Sequence, residues 1–292
     1  MFFRALLPGL AAFCVIQSSA LAQGVAGTTG FVEVNQTSLR YHLAGSGPRT
    51  IVLLHELGMS LESWDDIVGE LSRAHRVLRY DLRGFGLSEK LRGAVTIENE
   101  VDDLRALLDH LRLTGPVTLV GGALGGAIAL RFAAAEPPRV AAVMALSPAG
   151  DVAPSSRPAY LVRAARLERL GMRADVEATR DDTYPPTLRT GQDDRFARFL
   201  ALQYANDPVS MAATLRMIAI TEWASVWPAI QCPAWFVAVS NYKARPIDSV
   251  KSMASAVPRG HFEVLDTGPF VAVQSPELLL PLLRKFLEAT AR

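Results

Sequence analysis

Short apolar runs alternate with amphipathic segments along most of this chain, and this alternation constrains the fold more than any other feature. The apolar runs predict strands at 31–34, 38–44, 50–56, 75–81, 116–122, 140–147, 234–240 and 262–267. The amphipathic segments predict helices at 60–74, 95–111, 123–137 and 275–290. Continuous apolar strands that alternate with helices are typical of an α/β fold. We therefore expect a mostly parallel eight-stranded sheet, led by an antiparallel hairpin and flanked by helices on both faces.

Residues 151–228 interrupt this alternation. Their pattern is helical, PSSRP, YPP and GQDD punctuate it, and it contains no strand-like run. A helical segment inserted between two strands of a parallel sheet predicts a cap over the carboxyl ends of the strands, where ligands bind in such sheets. The expected organisation is a core domain of residues 23–150 and 229–292 with a helical cap of residues 151–228.

The first 22 residues have the features of a secretory signal peptide. Arg4 precedes a short apolar stretch, and Ala20 to Ala22 form an A-x-A cleavage site before Gln23. The sequence therefore predicts an exported protein, periplasmic or secreted, with no stable membrane anchor after cleavage. Two alternatives stay open: an uncleaved N-terminal anchor, and a lipid anchor at Cys14, which the bulky preceding residue disfavours.

Charge and cysteine content exclude several classes of function. Cleavage would remove Arg4 from the 30 basic residues, which leaves them equal in number to the 29 acidic ones and gives no footprint for nucleic acid. Cys232 would then be the one cysteine, so no intramolecular disulfide is expected, and its apolar surroundings predict burial. We find no convincing metal spacing, phosphate loop or dinucleotide fingerprint, and we expect neither metal nor cofactor. The oligomeric state is not predicted.

Four segments carry a family resemblance that covers essentially the whole mature chain. They read LLHELGMSLESWDDIV, VLRYDLRGFGLSEK, PVTLVGGALGGAIALRFAAAEPPRVAAVMALSPA and VLDTGPFVAVQSPELLLPLLRKFL. They resemble successive landmarks of the α/β-hydrolase superfamily, and the D-x-R-G-x-G-x-S box at 81–88 is a specific match. The cap segment ERLGMRADVEATRDDTYPPTLR resembles that of bacterial 3-oxoadipate enol-lactonases. The resemblance implies an α/β-hydrolase fold and a site of the ester- or lactone-hydrolase type.

The resemblance also locates the three positions of a catalytic triad, and none holds the expected residue. Ala123 stands at the nucleophile elbow, where the family has serine, and Pro269 stands where it has histidine. The position of the acid falls within 240–243, at Lys243. A methyl group cannot attack, proline has no ionisable side chain, and a cation cannot orient an imidazolium. Three losses together favour natural divergence over a single engineered change, because triad residues act as a unit.

One loop keeps candidate chemistry. The segment from His55 to Gly58 stands where the family usually has H-G-x-G, so the backbone N–H groups of Leu57 and Leu124 are the predicted oxyanion donors. Glu56 replaces a glycine there and is the candidate acid or base, with a pKa that burial would raise. The alternative for Glu56 is a solvated or salt-bridged loop carboxylate.

The remaining candidates are weaker. His55 is the one histidine well placed for the crevice, and surface or core roles are expected for His42, His75, His110 and His261. The predicted ligand pocket combines His55 and Glu56 with three cap residues: Arg216, Trp223 and Trp227. Core packing is the alternative role of the two tryptophans.

Two functions follow from these residues. The first is an exported pseudo-hydrolase that binds a small ester, lactone or carboxylate without turning it over. The second is a serine-independent hydrolase or lyase, in which the oxyanion donors and Glu56 with a bound water supply weak catalysis.

Overall fold

The computed structural model describes residues 26–291, and the predicted signal peptide lies outside these residues. Eight strands form one sheet in the order β1-β2-β4-β3-β5-β6-β7-β8. Their bounds are β1 Gly27–Val34, β2 Thr37–Ala44, β3 Thr50–Leu54, β4 Arg76–Tyr80, β5 Val117–Gly122, β6 Val140–Leu146, β7 Ala234–Val239 and β8 Gly260–Leu265. β1 and β2 form an antiparallel hairpin, β2 is antiparallel to β4, and β3 to β8 are parallel. The predicted eight-stranded sheet is confirmed.

Helices cover both faces of this sheet. Their bounds are α1 Asp65–Leu71, α2 Ile97–His110, α3 Ala123–Ala135, α4 Arg157–Thr183, α5 Asp193–Tyr204, α6 Pro208–Ile220, α7 Ile247–Ala256, α8 Val271–Gln274 and α9 Pro276–Ala289. Successive residues of a strand point to opposite faces. Leu54 therefore belongs to the apolar cluster that includes residues of α2, α3 and α7, whereas Leu53 belongs to the cluster that includes residues of α1 and α9.

The helices differ from the sequence prediction at 60–74, at α7 and at the four-residue helix α8, which was not predicted. The predicted helix at 60–74 divides into a 3-10 turn at Leu61–Trp64 and the short helix α1. α7 was not predicted, because its segment IDSVKSMASA has few large apolar residues at helical spacing and is held by packing on β7 and β8. Helix α2 begins where the pattern predicts, with the Thr96 side chain accepting a hydrogen bond from the N–H of Asn99 at 3.2 Å.

Residues 151–228 contain α4, α5 and α6, with 3-10 turns and no strand. α4 is kinked at Gly171, where φ is 75°, and its two halves pack along α6. The cap contacts the core through a small apolar cluster in which Phe199 of α5 meets Met59 and Phe270. Over residues 26–291, no helix combines the length and hydrophobicity needed to cross a membrane.

Candidate functional site

The turn between β5 and α3 keeps the backbone of a nucleophile elbow. Ala123 is the first residue of α3 and has a φ of 40°, in the left-handed region that costs a non-glycine residue about 1–2 kcal/mol. Glycines allow the strand and helix to approach: a Cβ on Gly121 would lie 2.6 Å from the nitrogen of Gly126, and one on Gly125 would lie 2.5 Å from the carbonyl carbon of Leu54. The strained turn is therefore present, but its central side chain is a methyl group.

The other two positions that the sequence analysis assigned to a triad lie on loops at the same edge of the sheet. Lys243 is exposed in the loop after β7, and Pro269 is buried in the loop between β8 and α8. Next to it, the N–H of Phe270 donates to Gln274 Oε1 at 2.9 Å, and Gln274 Nε2 donates to the carbonyl of Thr183 in the cap at 2.8 Å. Ala123 and Pro269 have no side-chain group that can attack a carbonyl or carry a proton, and the side chain of Lys243 is exposed.

His55 orients the loop that carries the predicted oxyanion donor. Its Nδ1 lies 2.8 Å from the carbonyl oxygen of Glu56, and its Nε2 accepts a hydrogen bond from the N–H of Leu82 at 2.9 Å. Nδ1 must therefore carry the proton, and burial lowers the pKa of the ring, which keeps it neutral. In a trans peptide the N–H of Leu57 points away from the Glu56 carbonyl. His55 is a positioning residue for that N–H group, and it has no nitrogen available to act as a base.

Two amides from the cap hold the same loop. Gln203 Nε2 and Asn206 Nδ2 donate to the carbonyl oxygen of Gly58 at 3.0 Å and 2.7 Å. Gly58 has a φ of 77°, and a Cβ there would lie 3.1 Å from Gln203 Nε2. No sequence pattern predicts this contact, since two polar residues near the end of a cap helix have many possible partners. The cap therefore fixes the oxyanion loop directly.

Glu56 is the unusual residue of the site. Its side chain is 1% exposed, and neither carboxylate oxygen has a hydrogen-bond partner among residues 26–291. Burial raises its pKa to about 7, as the sequence analysis expected. The side chain packs on the elbow, where a Cβ on Gly122 would lie 2.6 Å from Glu56 Cδ. The alternative of a solvated or salt-bridged carboxylate is wrong, because this carboxyl is enclosed and unpaired.

The structure does not bring the predicted cap residues to Glu56. Arg216 Nη1 and Nη2 bind the two carboxylate oxygens of Glu168 at 2.7 Å each, on the half-exposed surface between α4 and α6. Trp223 and Trp227 are buried in the hydrophobic core and stack with ring centroids 4.6 Å apart. Core packing is the role that this geometry supports for both tryptophans, and the guanidinium of Arg216 is already engaged.

Other candidate residues are structural or peripheral. His42 is buried and lies 3.3 Å from Arg79 Nε, His110 is exposed, and His261 is bound to Glu263 at 2.9 Å. His75 is half-buried at the start of β4. In the part of the chain that the structure describes, no group of three His, Cys, Asp or Glu side chains could hold a metal ion.

Three cavities lie among the described residues, and two of them, of about 210 Å³ and about 680 Å³, are lined in part by residues of the cap. A cavity of about 210 Å³ lies between α5 and the 61–66 region and is lined in part by Arg198, Leu202 and Val273. A larger groove of about 920 Å³ lies at the opposite edge of the sheet, beside Arg49 and Cys232. Ligands of parallel sheets bind at the carboxyl ends of the strands. The larger groove lies at the other ends and is therefore the weaker candidate for a ligand site.

The family model that matches this chain is that of the alpha/beta hydrolase fold, over residues 49–202. The chain therefore belongs to the α/β-hydrolase family. Among curated proteins, it is 35% identical over 113 residues to a 2-hydroxy-6-oxo-2,4-heptadienoate hydrolase of Pseudomonas putida, a match that covers 37% of this chain and 40% of that protein. The matches to the first curated relatives span about a third to a half of those proteins' lengths.

Solved structures resemble the chain over nearly its whole length. An enol-lactonase from Burkholderia xenovorans LB400 superposes with a TM-score of 0.83 at 25% identity, covering 89% of this chain and 100% of that one. A thermophilic esterase from Thermogutta terrifontis, solved with malate bound, has the same TM-score of 0.83 at 24% identity, covering 91% and 100%. The enol-lactonase likeness predicted from the sequence is thus confirmed at the level of relatives.

Proposed function

We propose that this protein is an exported pseudo-hydrolase, which binds a small ester, lactone or carboxylate in the crevice under its cap without a covalent step. The observation that carries the proposal is the contrast at the elbow. The strained backbone at Ala123 is retained, while the three triad positions hold a methyl group, a proline and an exposed lysine. A frame of this kind can orient a carbonyl compound, but it has no nucleophile with which to attack it.

The relatives support the class of ligand. The enol-lactonase of Burkholderia and the esterase of Thermogutta are named for small carbonyl substrates, and their chains superpose on nearly all of this one. Because fold alone does not fix function, the ligand class is a proposal about this crevice.

A second function is favoured by one observation, the unpaired Glu56 carboxyl with a pKa of about 7. A group that titrates near neutrality can act as a general base toward a bound water. In this alternative, Glu56 takes a proton from water while the N–H groups of Leu57 and Leu124 stabilise the oxyanion. Residual catalysis without a triad is about 10³- to 10⁴-fold over water in a well-studied hydrolase, so turnover would be weak.

One experiment separates the two functions. The mature chain, Gln23 to Arg292, is tested for turnover and for ligand-induced thermal stabilisation on small activated esters, enol-lactones and carboxylates, with Glu56→Gln in parallel. We expect stabilisation without turnover. Turnover that is lost in Glu56→Gln would establish the second function, and a folded chain that no compound stabilises and that turns over none would overturn both.

Export is tested separately. We expect the protein isolated from its native host to begin at Gln23 and to fractionate outside the cytoplasm. An N-terminus at Met1 in a cytoplasmic fraction would overturn this part of the proposal.

A further inference from the structure

We propose that the ligand of the crevice is a carboxylate, held at the N-terminus of α3 by a hydrogen bond from the protonated carboxyl of Glu56, so that a rise in pH releases it. This inference rests on the proposed binding function and narrows its ligand class. It also gives Glu56 a role other than catalysis, that of a proton donor which selects an anionic partner.

The first observation is the start of α3. This helix has 13 residues, and its N-cap, Gly122, provides no side-chain hydrogen bond to the first turn. The first N–H groups of a helix have no intrahelical acceptor and carry a partial positive charge, which favours an anion. The N–H of Gly125 already donates to the carbonyl of His55 at 3.2 Å. The N–H of Leu124 is the donor that the elbow geometry assigns to a ligand.

The second observation is independent of the helix. Glu56 is almost completely buried against Gly122, and both of its carboxylate oxygens lack a partner among the described residues. A buried polar group without a hydrogen bond costs about 1–3 kcal/mol, so its presence here favours a partner that is not among the described residues. A protonated carboxyl offers one O–H donor, and its strongest acceptor is an ionised oxygen. A ligand carboxylate would satisfy Glu56 and the helix terminus together.

Nothing charged on the neighbouring elements competes with Glu56. Burial alone raises its pKa to about 7, with no contribution from a charged side chain of the described residues. On its own loop, His55 is neutral with both nitrogens engaged. The β5–α3 turn presents Gly122 and Ala123, and the cap contributes the neutral amide of Gln203 to this loop. The protonation of Glu56 itself therefore controls the local charge.

The expected consequence is a change of affinity centred on neutrality. Below about pH 7 the Glu56 carboxyl is protonated and donates to the ligand, and above it the ionised group has no proton to donate and repels an anion. If binding requires the protonated form, the dissociation constant rises toward tenfold per pH unit above this point, or about tenfold between pH 6 and pH 8. A neutral ester lacks this dependence, because its carbonyl is not repelled by the ionised group.

The test uses matched anionic and neutral probes. Titration calorimetry measures the binding of benzoate and butyrate, and of methyl benzoate and methyl butyrate, to the mature chain from about pH 6 to about pH 8.5, where both acids are ionised. We expect the carboxylates to bind and to weaken about tenfold by pH 8. Glu56→Gln should bind them with little pH dependence, since an amide N–H donates at any pH.

Glu100→Gln is the matched control. Glu100 is also fully buried with two unpaired oxygens, but it lies on α2 and faces Asp103 and Arg83 rather than the elbow. We expect this variant to retain the pH dependence of the wild type.

Each other result has a defined meaning. Carboxylate affinity that is constant with pH in the wild type, or that falls equally in Glu56→Gln, would overturn the inference. Binding of the esters but not of the carboxylates would also overturn it and leave the proposed function intact, whereas a folded chain that binds no probe contradicts both. If Glu56→Gln does not fold, the wild type alone can test the inference. At about pH 8, carboxylate binding should be coupled to the uptake of close to one proton, which calorimetry in buffers of different ionisation enthalpy measures. Binding without proton uptake would overturn the inference.

Discussion

Two turns at the carboxyl edge of the sheet differ in how they are held. The turn after β4, residues 81–88, is organised by charged side chains whose hydrogen bonds are satisfied. The turn after β5, residues 122–126, is organised by glycines and backbone contacts alone, and the polar side chain next to it, Glu56, is unpaired. The turn after β4 is therefore a motif that stabilises the backbone. The turn after β5 is a motif that presents a side chain for chemistry.

The β4 turn depends on one carboxylate. Asp81 accepts hydrogen bonds from Arg40 Nε at 2.6 Å, from the N–H of Leu61 at 2.8 Å and from the N–H of Leu87 at 2.7 Å. Arg83 binds Asp103 through Nε at 2.7 Å. Both side chains hold the turn in place, and neither is available to a ligand.

The backbone of the elbow is held by contacts that do not involve the side chain at its centre. Gly121 and Gly125 are required by contacts within the fold itself, so they are kept whatever stands at 123. No such contact requires a serine. The glycines of the elbow therefore indicate the family of this chain. Activity depends instead on the side chain at position 123, which the fold does not constrain.

The largest expected effect is at Asp81. Asp81→Ala removes the acceptor of Arg40 Nε, of the buried N–H of Leu61 and of the N–H of Leu87, and we expect a loss of about 3–5 kcal/mol in the free energy of unfolding. Urea unfolding measures it. Glu89→Gln, in the same turn but exposed, is the control and should change stability by less than about 0.5 kcal/mol. Equal effects of the two variants would remove the contrast between the turns.

The second prediction concerns the pH dependence of stability. The pKa of Glu56 is raised from 4.5 to about 7 in the folded state, so folding favours its protonated form. The stability due to this group is present in full below pH 4.5, falls as the pH rises toward 7, and is constant above, with a total of about 3 kcal/mol. Urea unfolding between these pH values should show a smaller decrease in Glu56→Gln than in the wild type. Other groups whose pKa is shifted by burial, such as Glu100 and Asp103 (raised) and His55 (lowered), contribute to the slope in both proteins. Identical slopes in both proteins would show that Glu56 is not held protonated.

The third prediction tests the glycines of the elbow. In Gly125→Ala the new methyl group would lie 2.7 Å from the carbonyl oxygen of His55, and backbone must move to relieve the contact. We expect a loss of about 2–3 kcal/mol, since overpacking against backbone cannot be absorbed by a rotamer change. Gly115→Ala meets nothing within 4 Å and is the neutral control. A neutral Gly125→Ala would mean that the turn is less constrained than its contacts indicate.

The sequence predicted the fold better than the site, for a physical reason. Strands such as β5 are buried on both faces and must be apolar throughout, so their pattern is visible in a single sequence. Contacts such as Gln203 with Gly58 depend on how the cap docks, which no local pattern records. Arg216 was predicted to contact the ligand because guanidinium groups bind carboxylates. In the structure its guanidinium is paired with Glu168 of α4 instead. The burial of Glu56 was foreseen only as a possibility, because it depends on the absence of a side chain at Gly122.

The smallest expected effect on stability is at the elbow's central residue. Ala123→Ser adds one hydroxyl at a position whose backbone is already strained, so stability should change by less than about 0.5 kcal/mol. We also expect no labelling by a fluorophosphonate probe, because neither Pro269 nor Lys243 can accept the hydroxyl proton. The triple variant Ala123→Ser, Pro269→His, Lys243→Asp restores each role and should be labelled faster than the single variant. Rapid labelling of Ala123→Ser alone would show that another group, with Glu56 the nearest candidate, already acts as a base at this elbow.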